Sequence, residues 1–83
     1  MTKEQIQGKL IEILKKFSRN EEVWATANET SRIIEDLKVT SSRFVDVVIE
    51  IEDCFDIEID DPTMDKIVTL GNAVEVVSEL RAA

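Results

Sequence analysis

Apolar side chains recur at intervals of three and four residues in three separate segments, and this spacing is the chain's strongest structural constraint. The three sets are Ile6, Leu10, Ile13, Leu14 and Phe17; Phe44, Val48, Ile51 and Phe55; and Leu70, Ala73, Val74, Val77 and Leu80. Such spacing places the members of each set on one face of an α-helix. The sequence therefore predicts an all-α fold, a bundle in which three amphipathic helices pack together.

Capping residues indicate where the first two helices begin and end. Thr2, followed three residues later by Gln5, forms a capping box for the first helix, which should end at Ser18-Arg19-Asn20. Thr40-Ser41-Ser42 begins the second helix, with Thr40 able to cap it, and this helix should run to about Phe55.

Two segments between the helices are predicted to be loops. Residues 20–40 are weakly periodic, and we expect a long loop that is held to the core by a few apolar side chains, among them Ile33, Ile34 and Leu37. Asp56-Ile57-Glu58-Ile59 alternates as a strand would, but it has no partner strand, so we predict a loop there too.

The C-terminal part of the chain completes the predicted bundle. Pro62 suits the first position of a short third helix over Thr63–Lys66, because the amide that proline lacks is not needed there. Thr69 then caps the last helix. We expect residues 1–83 to form a single domain of three main helices and one short helix, with a long loop between the first two.

The charge balance limits the classes of partner. Eighteen acidic residues against ten basic ones give the 83-residue chain a net charge of −8. Such a surface repels nucleic-acid phosphates and anionic lipids, so we expect no nucleic acid and no membrane insertion, but a basic partner protein. The absence of histidine and the single cysteine exclude histidine-dependent catalytic triads, histidine-ligated metals and an internal disulfide. We expect a monomer in the reducing cytoplasm.

Half of the acidic residues lie between Arg43 and Lys66, where there is no basic residue. They are Asp46, Glu50, Glu52, Asp53, Asp56, Glu58, Asp60, Asp61 and Asp65. A calcium loop beginning at Asp56 would need glycine and glutamate where this chain has Asp61 and Ile67, so we expect no metal site. Paired-carboxylate catalysis needs an enclosing cleft, which so small a bundle is not expected to provide, so we predict no enzymatic activity. Such a run of charge is usually a solvated helix face, but the concentration of half of the acids here favours a docking surface for a basic partner.

Ser41 is the remaining candidate for chemistry. A serine at the start of a helix is usually a cap, and with no base beside it Ser41 is not expected to act as a nucleophile on its own. Its hydroxyl could instead receive a phosphodiester, because helix amides and the helix dipole favour negative charge at this end. On the same helix, Val45 and Ile49 should be partly exposed between the apolar stripe and the acidic side.

Three stretches of the chain resemble the acyl carrier protein family, and the resemblance covers nearly its whole length. They are Asp36-Leu37-Lys38-Val39-Thr40-Ser41-Ser42, Phe55-Asp56-Ile57-Glu58-Ile59, and Lys66-Ile67-Val68-Thr69-Leu70-Gly71-Asn72-Ala73-Val74. In that family an Asp-Leu pair precedes an Asp-Ser-Leu signature, and ungapped alignment places its serine at Ser41. The signature aspartate and leucine are Thr40 and Ser42 here, and Arg43 stands where an acid is common. These departures imply a specialised carrier rather than the housekeeping carrier of fatty acid synthesis.

The resemblance also implies a role for each part of the surface. Ser41 would carry cargo as a thioester on a 4′-phosphopantetheine arm, which a separate magnesium-dependent phosphopantetheinyl transferase takes from coenzyme A. Contacts with that transferase and with acyl-loading and acyl-processing enzymes would involve Ser42, Val45, Asp46, Ile49, Glu50, Glu52 and Asp53. The residues that would line an interior sheltering the acyl chain are Phe44, Val48, Ile51, Ile59, Met64 and Ile67. For any single one of them, an ordinary core position is the stronger interpretation.

We therefore expect a discrete acyl carrier protein in a specialised lipid, fatty acid or polyketide pathway. An aminoacyl or peptidyl carrier, with the same fold and arm but different cargo, is one alternative. The other is an acidic helical adaptor that is never modified and in which Ser41 is only a helix cap, a reading supported by Thr40 and Ser42.

Overall fold

Four α-helices account for most of the chain in a computed structural model that describes residues 2–18 and 22–82. Helix α1 spans Lys3–Phe17, α2 spans Ser41–Phe55, α3 spans Asp61–Met64 and α4 spans Leu70–Ala82, and a short 3₁₀ helix spans Glu22–Ala25. Within the described residues there is no β-strand, and an isolated bridge joins Arg32 to Thr69. The predictions of an all-α fold and of a loop at residues 56–59 are confirmed.

Helix α1 begins as its sequence predicts. The Thr2 hydroxyl accepts a hydrogen bond from the Gln5 amide at 3.2 Å, and Gln5 Oε1 accepts one from the Thr2 amide at 2.9 Å. This reciprocal capping box satisfies two amide donors that have no partner within the helix. The helix ends at Phe17 with Ser18 as its C-cap, and the other two residues of the predicted end, 19–20, lie outside the described residues.

Helix α2 has the predicted boundaries, but its N-cap differs from the prediction. Thr40 occupies the N-cap position, yet its hydroxyl makes no capping hydrogen bond and lies 3.3 Å from Ser42 Oγ. The prediction that the Thr40 hydroxyl caps α2 is therefore wrong, because that hydroxyl lies next to the Ser42 hydroxyl instead. At the other end Asp56 adopts a left-handed conformation with φ of 53°, and its amide donates to the Glu52 carbonyl.

The buried face of α2 is wider than the predicted stripe. Val48, Ile51 and Phe55 are buried as expected, and Phe44 is half-buried. Val47 lies outside the stripe, but it is fully buried, since it is only about 40° around the helix from Ile51. This face contacts α1, which packs against both α2 and α4.

The short helix α3 is Asp61–Met64 rather than the predicted Thr63–Lys66. Asp60 Oδ1 accepts a hydrogen bond from the Thr63 amide at 3.0 Å, so Asp60 is the N-cap and the helix begins earlier than predicted. Pro62 consequently takes the second helical position instead of the first, where its missing amide is equally without cost.

Helix α4 begins at the predicted cap. The Thr69 hydroxyl accepts a hydrogen bond from the Asn72 amide at 3.1 Å. Asn72 Oδ1 in turn accepts from the amides of Thr69 and Val68 at 2.9 and 3.2 Å. The chain is thereby fixed as it enters the helix, as in a capping box with asparagine in the third position.

The long loop before α2 is held by buried side chains and by backbone hydrogen bonds. Ile33, Leu37 and Val39 are each at most 1% exposed. The amides of Ile33, Leu70 and Gly71 donate to the carbonyls of Val68, Ser31 and Glu29 at 2.9, 2.9 and 2.8 Å. Ile34, a predicted anchor, is 43% exposed, because Ile33 takes the inward position in this turn. The loop is therefore fixed to the start of α4.

Seventeen buried apolar residues form the interior of the described chain, and no polar or charged residue is buried with them. Those contributed by α1 and α4 include Ile6, Leu10, Ile13, Leu14, Leu70, Ala73, Val74, Val76 and Val77. No helix in the described ranges is long and apolar enough to cross a membrane.

Replacing each of the two glycines by alanine should change the free energy of unfolding in opposite directions. A Cβ at Gly8 meets no atom within 4 Å, so Gly8→Ala should raise the free energy of unfolding by about 1 kcal/mol through better helix propensity. A Cβ at Gly71 would lie 2.8 Å from the Glu29 carbonyl oxygen, so Gly71→Ala should lower it by about 1–3 kcal/mol. Urea unfolding of both variants checks the pair, and equal effects would contradict the packing of the loop on α4.

Protonation of Asp60, the N-cap of α3, should make the protein lose stability more steeply as the pH falls. Hydrogen bonds from Thr63, from its hydroxyl first and its amide second, hold the pKa of the Asp60 carboxyl below its ordinary value. This pKa is lower in the folded than in the unfolded state. The stabilisation that the ionised Asp60 carboxylate provides is therefore present above the unfolded-state pKa and is lost as the pH falls through the folded-state pKa. Asp60→Ser keeps a capping oxygen but cannot titrate. Its melting temperature should fall less than that of the native protein between pH 5 and pH 2.5, and parallel curves would contradict the assignment.

Candidate functional site

Ser41 is the first residue of α2, and it is exposed. Val39, two residues earlier, is fully buried, and Phe44, three residues later, packs against the core. These two contacts fix the backbone on either side of Ser41. Across the described residues no side chain hydrogen-bonds the Ser41 hydroxyl. A hydroxyl that is exposed on a well-anchored backbone is accessible to another protein's active site.

The backbone around Ser41 is already arranged as a helix start. The amides of Arg43 and Phe44 both donate to the Thr40 carbonyl, at 3.0 and 3.1 Å. The Thr40 hydroxyl does not cap the helix. The N-terminal end of α2 therefore has no side-chain acceptor from its own N-cap, and its partial positive charge remains uncompensated there.

The turn before Ser41 is closed by Arg32 and Asp36. The Arg32 amide donates to Asp36 Oδ2 at 2.9 Å, and the Arg32 guanidinium contacts both Asp36 and Glu35. The Arg32 amide is the main reason why the pKa of the Asp36 carboxyl is below its ordinary value. Leu37, buried, and Lys38, in a left-handed conformation with φ of 60°, then carry the chain toward α2. This turn therefore helps to fix the position at which the chain enters α2 at Ser41.

Three of the four predicted docking acids on α2 have partners within the chain. Asp46 forms an ion pair with Arg43 at 3.3 Å. Glu50 forms one with Lys16 of α1 at 3.5 Å. Both pairs are largely exposed, and such pairs contribute 0–1 kcal/mol, so another cation could replace the partner at little cost.

Glu52 differs from the other acids because its carboxylate serves the fold. Glu52 Oε2 accepts a hydrogen bond from the Ile59 amide at 2.8 Å in a partly buried setting. This contact holds the segment between α2 and α3 against the end of α2. Asp53 is exposed and has no ion pair among the described residues. That either acid contacts a partner stays a prediction.

The same surface exposes two large apolar side chains. Val45 is 52% exposed and Ile49 is 50% exposed, as their position on the helix predicts. They are four residues apart, so they lie next to each other along α2. Ser42, near them in sequence, is exposed as well. The surface of α2 that follows Ser41 therefore combines apolar contact area with charged groups.

The six residues predicted to shelter a bound chain occupy three kinds of position. Ile51 and Ile67 belong to the main buried cluster, and Phe44 and Ile59 pack against it. Val48 is buried and Met64 is half-buried, and neither is a member of that cluster. Whether these residues accommodate an acyl chain stays a prediction.

A polar depression lies in the loop before Ser41. Its volume is about 420 Å³, and it is lined by Val23, Thr26, Asn28, Thr30, Ser31, Glu35, Asp36, Leu37 and Lys38. A second depression of about 390 Å³ lies between the N-terminal parts of α1 and α4, next to Glu29 and Thr30 of the long loop. Neither is lined by any of the six residues predicted to shelter an acyl chain.

Sequence reasoning missed two features of this site. The first is the ion pair of Arg43 with Asp46, although their spacing of three residues on a helix could have indicated it. The second is the left-handed backbone of Lys38, for which a lysine gives no signal, since glycine or asparagine is expected in that conformation.

Lys38→Gly should stabilise the protein. A left-handed conformation costs a residue other than glycine about 1–2 kcal/mol, so removing the side chain should raise the free energy of unfolding by roughly 1 kcal/mol. Lys66→Gly is the matched control, because Lys66 is also an exposed lysine in a turn but its φ is not positive. That variant should be no more stable than the native protein. Chemical unfolding of the two variants measures the difference, and equal values would contradict strain at Lys38.

Comparison with models of known protein families finds none that matches this chain. A function for this chain must therefore be inferred from the α2 surface and from the residues around Ser41.

Proposed function

We propose that this chain is a discrete acyl carrier protein with 4′-phosphopantetheine attached to Ser41. The observation that carries the proposal is the position of Ser41: an exposed hydroxyl on the first residue of a 15-residue helix, directly after an anchored loop. Val45 and Ile49 on the following turns supply exposed apolar contacts, and Asp53 supplies negative charge. A transferase needs such a combination of accessible nucleophile and docking surface.

The modification itself is chemically reasonable at this place. Ser41 Oγ would form a bond to the phosphorus of the pantetheine phosphate, and the pyrophosphate bond of coenzyme A would break, releasing adenosine 3′,5′-bisphosphate. The hydroxyl proton must pass to a base of the transferase, since Ser41 has none beside it. The phosphodiester would then lie where the helix dipole favours an anion and where Thr40 supplies no capping acceptor.

The carrier would act by positioning cargo rather than by catalysis. The terminal thiol of the arm would hold an acyl group as a thioester and present it to successive enzymes. Encounters with those enzymes would be steered by the net charge of −8 and would be brief, because exposed charge pairs each contribute little. The site would work in the cytoplasm, as a monomer, in a specialised lipid, fatty acid or polyketide pathway.

Transfer of the arm should be visible in the intact mass. Incubation with coenzyme A, Mg²⁺ and a broad-specificity phosphopantetheinyl transferase should add one phosphopantetheine to the native protein and to Ser42→Ala, but not to Ser41→Ala. The reason is that only the Ser41 hydroxyl receives the phosphodiester. Circular dichroism of each variant shows whether it is folded.

The outcomes of this experiment separate the candidate functions. Loss of the mass gain only in Ser42→Ala would move the attachment site by one residue. No gain with several transferases, on folded protein, would favour the unmodified adaptor. When a gain is observed, the identity of the group loaded in cells separates an acyl carrier from an aminoacyl or peptidyl carrier.

Reversing the charge at Asp53 should slow this transfer. Asp53→Lys is expected to lower kcat/KM for the transferase about fivefold at low salt, which corresponds to about 1 kcal/mol, because a basic docking patch would meet a cation. Glu75→Lys makes the same change in net charge on α4, in the depression that Lys3 and Gln7 of α1 also line. The kcat/KM of the transferase for the Glu75→Lys variant should change much less. Equal effects of the two substitutions would mean that only the overall charge matters.

A further inference from the structure

The segment between α2 and α4 is held to the core by few side chains. Phe55 and Ile67, at its two ends, are 1% and 5% exposed, but none of the described residues 56–66 between them is buried. Ile59 is half-buried and packs against the core, and helix α3 lies wholly within this stretch. Residues 58–66, which we call the strap, therefore gain little stability from apolar burial.

Among the described residues, a single hydrogen bond joins the strap to α2. Glu52 Oε2 accepts it from the Ile59 amide at 2.8 Å, in a partly buried setting. Within the same set of residues, the other hydrogen bonds of the strap join its own members to one another or to Ile67. Because its acceptor is a carboxylate, the bond to Glu52 is stronger than one between neutral groups. It is therefore the main polar contact between the strap and the rest of the protein.

Hydrogen bonds fix the chain on both sides of the strap without involving the strap itself. Before it, Arg81 of α4 donates to the Phe55 carbonyl at 2.9 Å in a partly buried setting. After it, the Val68 carbonyl accepts from the Ile33 amide at 2.9 Å, and the Val68 amide donates to Asn72 Oδ1 at 3.2 Å. The strap can therefore detach while the chain on either side stays in place.

Charge opposes the closed position of the strap. Lys66 is its one basic residue, and Asp53 and Asp56 precede it at the end of α2. Its four acids, none of which forms an ion pair among the described residues, are Glu58, Asp60, Asp61 and Asp65. Like charges brought together in this way repel one another. A closed strap therefore depends on a specific attractive contact, and the Glu52 carboxylate provides one.

We propose that the strap opens and closes as a unit while α1, α2 and α4 stay packed, and that the Glu52 carboxylate is the latch that keeps it closed. A helix of four residues is not stable when detached, so α3 melts as the strap opens. Opening withdraws Ile59 from the core and exposes the apolar surface against which it packs. Glu52 is then a positioning residue that controls access from solvent to this edge of the interior, whether or not Ser41 is modified.

Amide hydrogen exchange of the unmodified protein tests whether the strap opens separately. Gly8→Ala stabilises α1, which stays folded whether the strap is open or closed. It should slow exchange of the amides of Leu10 and Val77, whose side chains are fully buried, about fivefold, and should leave exchange of the Met64 and Lys66 amides unchanged. Slowing of all four amides by the same factor would mean that the strap opens only when the whole chain unfolds, and would overturn the proposal.

Replacement of Glu52 tests the latch. Glu52→Ala should speed exchange of the Met64 and Lys66 amides about tenfold, because the strap loses its hydrogen bond to α2. Glu52→Gln keeps an acceptor oxygen and should speed their exchange less. Asp53→Ala, the matched control, removes the same charge from the next residue of α2. It should not speed exchange, since removing an acid only lessens the repulsion.

The outcomes are independent of those for the proposed function, because every measurement uses the unmodified protein. Unchanged exchange in Glu52→Ala, or acceleration confined to the Ile59 amide, would overturn the assignment of Glu52 as the latch. Equal acceleration in Asp53→Ala would assign the effect to charge and would overturn it as well. Should Glu52→Ala fail to fold, as judged by circular dichroism, the comparison of Glu52→Gln with Asp53→Ala decides the point.

Discussion

The fold depends on the attachment of the long first loop to the beginning of α4. Three backbone hydrogen bonds make this attachment, from the amides of Ile33, Leu70 and Gly71 to carbonyls of the opposite segment. The described residues between α1 and α2 include a 3₁₀ helix of four residues and are otherwise without helix or strand, and ordering such a segment costs roughly 1–2 kcal/mol per residue. The buried side chains of Leu37 and Val39 offset part of that cost through apolar burial. The position of Ser41 follows from this attachment, because the anchored loop leads directly into α2.

The acidic side chains of this chain, which has a net charge of −8, repel one another. Part of this repulsion is relieved on α2, where two of the chain's ten cations pair with acids: Arg43 with Asp46, and Lys16 of α1 with Glu50. Each pair is exposed and weak, so neither adds much to stability. Their effect is on the surface potential, since an acid beside an intrachain cation attracts a basic partner less than a free one does. The distribution of ion pairs therefore shapes the surface potential of α2, the proposed docking surface, more than the number of acids does.

The sequence predicts the helices well because their signals are local. The Thr2–Gln5 capping box and the period of apolar residues involve neighbours within one turn, and both are found in the structure. Features set by distant parts of the chain were not predictable. The wide buried face that includes Val47 depends on how α1 lies against α2, and the contact of Gly71 with the Glu29 carbonyl depends on the loop meeting α4. The predicted start of α3 is wrong although Asp60 is a local signal, because the prediction places Pro62 first in the helix and Asp61 takes that position.

Two of the three departures from the acyl carrier signature that the sequence resembles change the local charge in the same direction. Thr40 replaces an aspartate and Arg43 replaces a residue that is commonly acidic, so both reduce the negative charge around Ser41. Because charges close to a helix N-terminus interact most strongly with whatever is attached there, these two changes favour an anion on Ser41 more than the usual residues would. Loss of the signature aspartate thus need not mean loss of modification. Under the proposed function, the N-terminal end of α2 would itself offset part of the phosphodiester's charge, so that less of that charge would be left to basic residues of a partner.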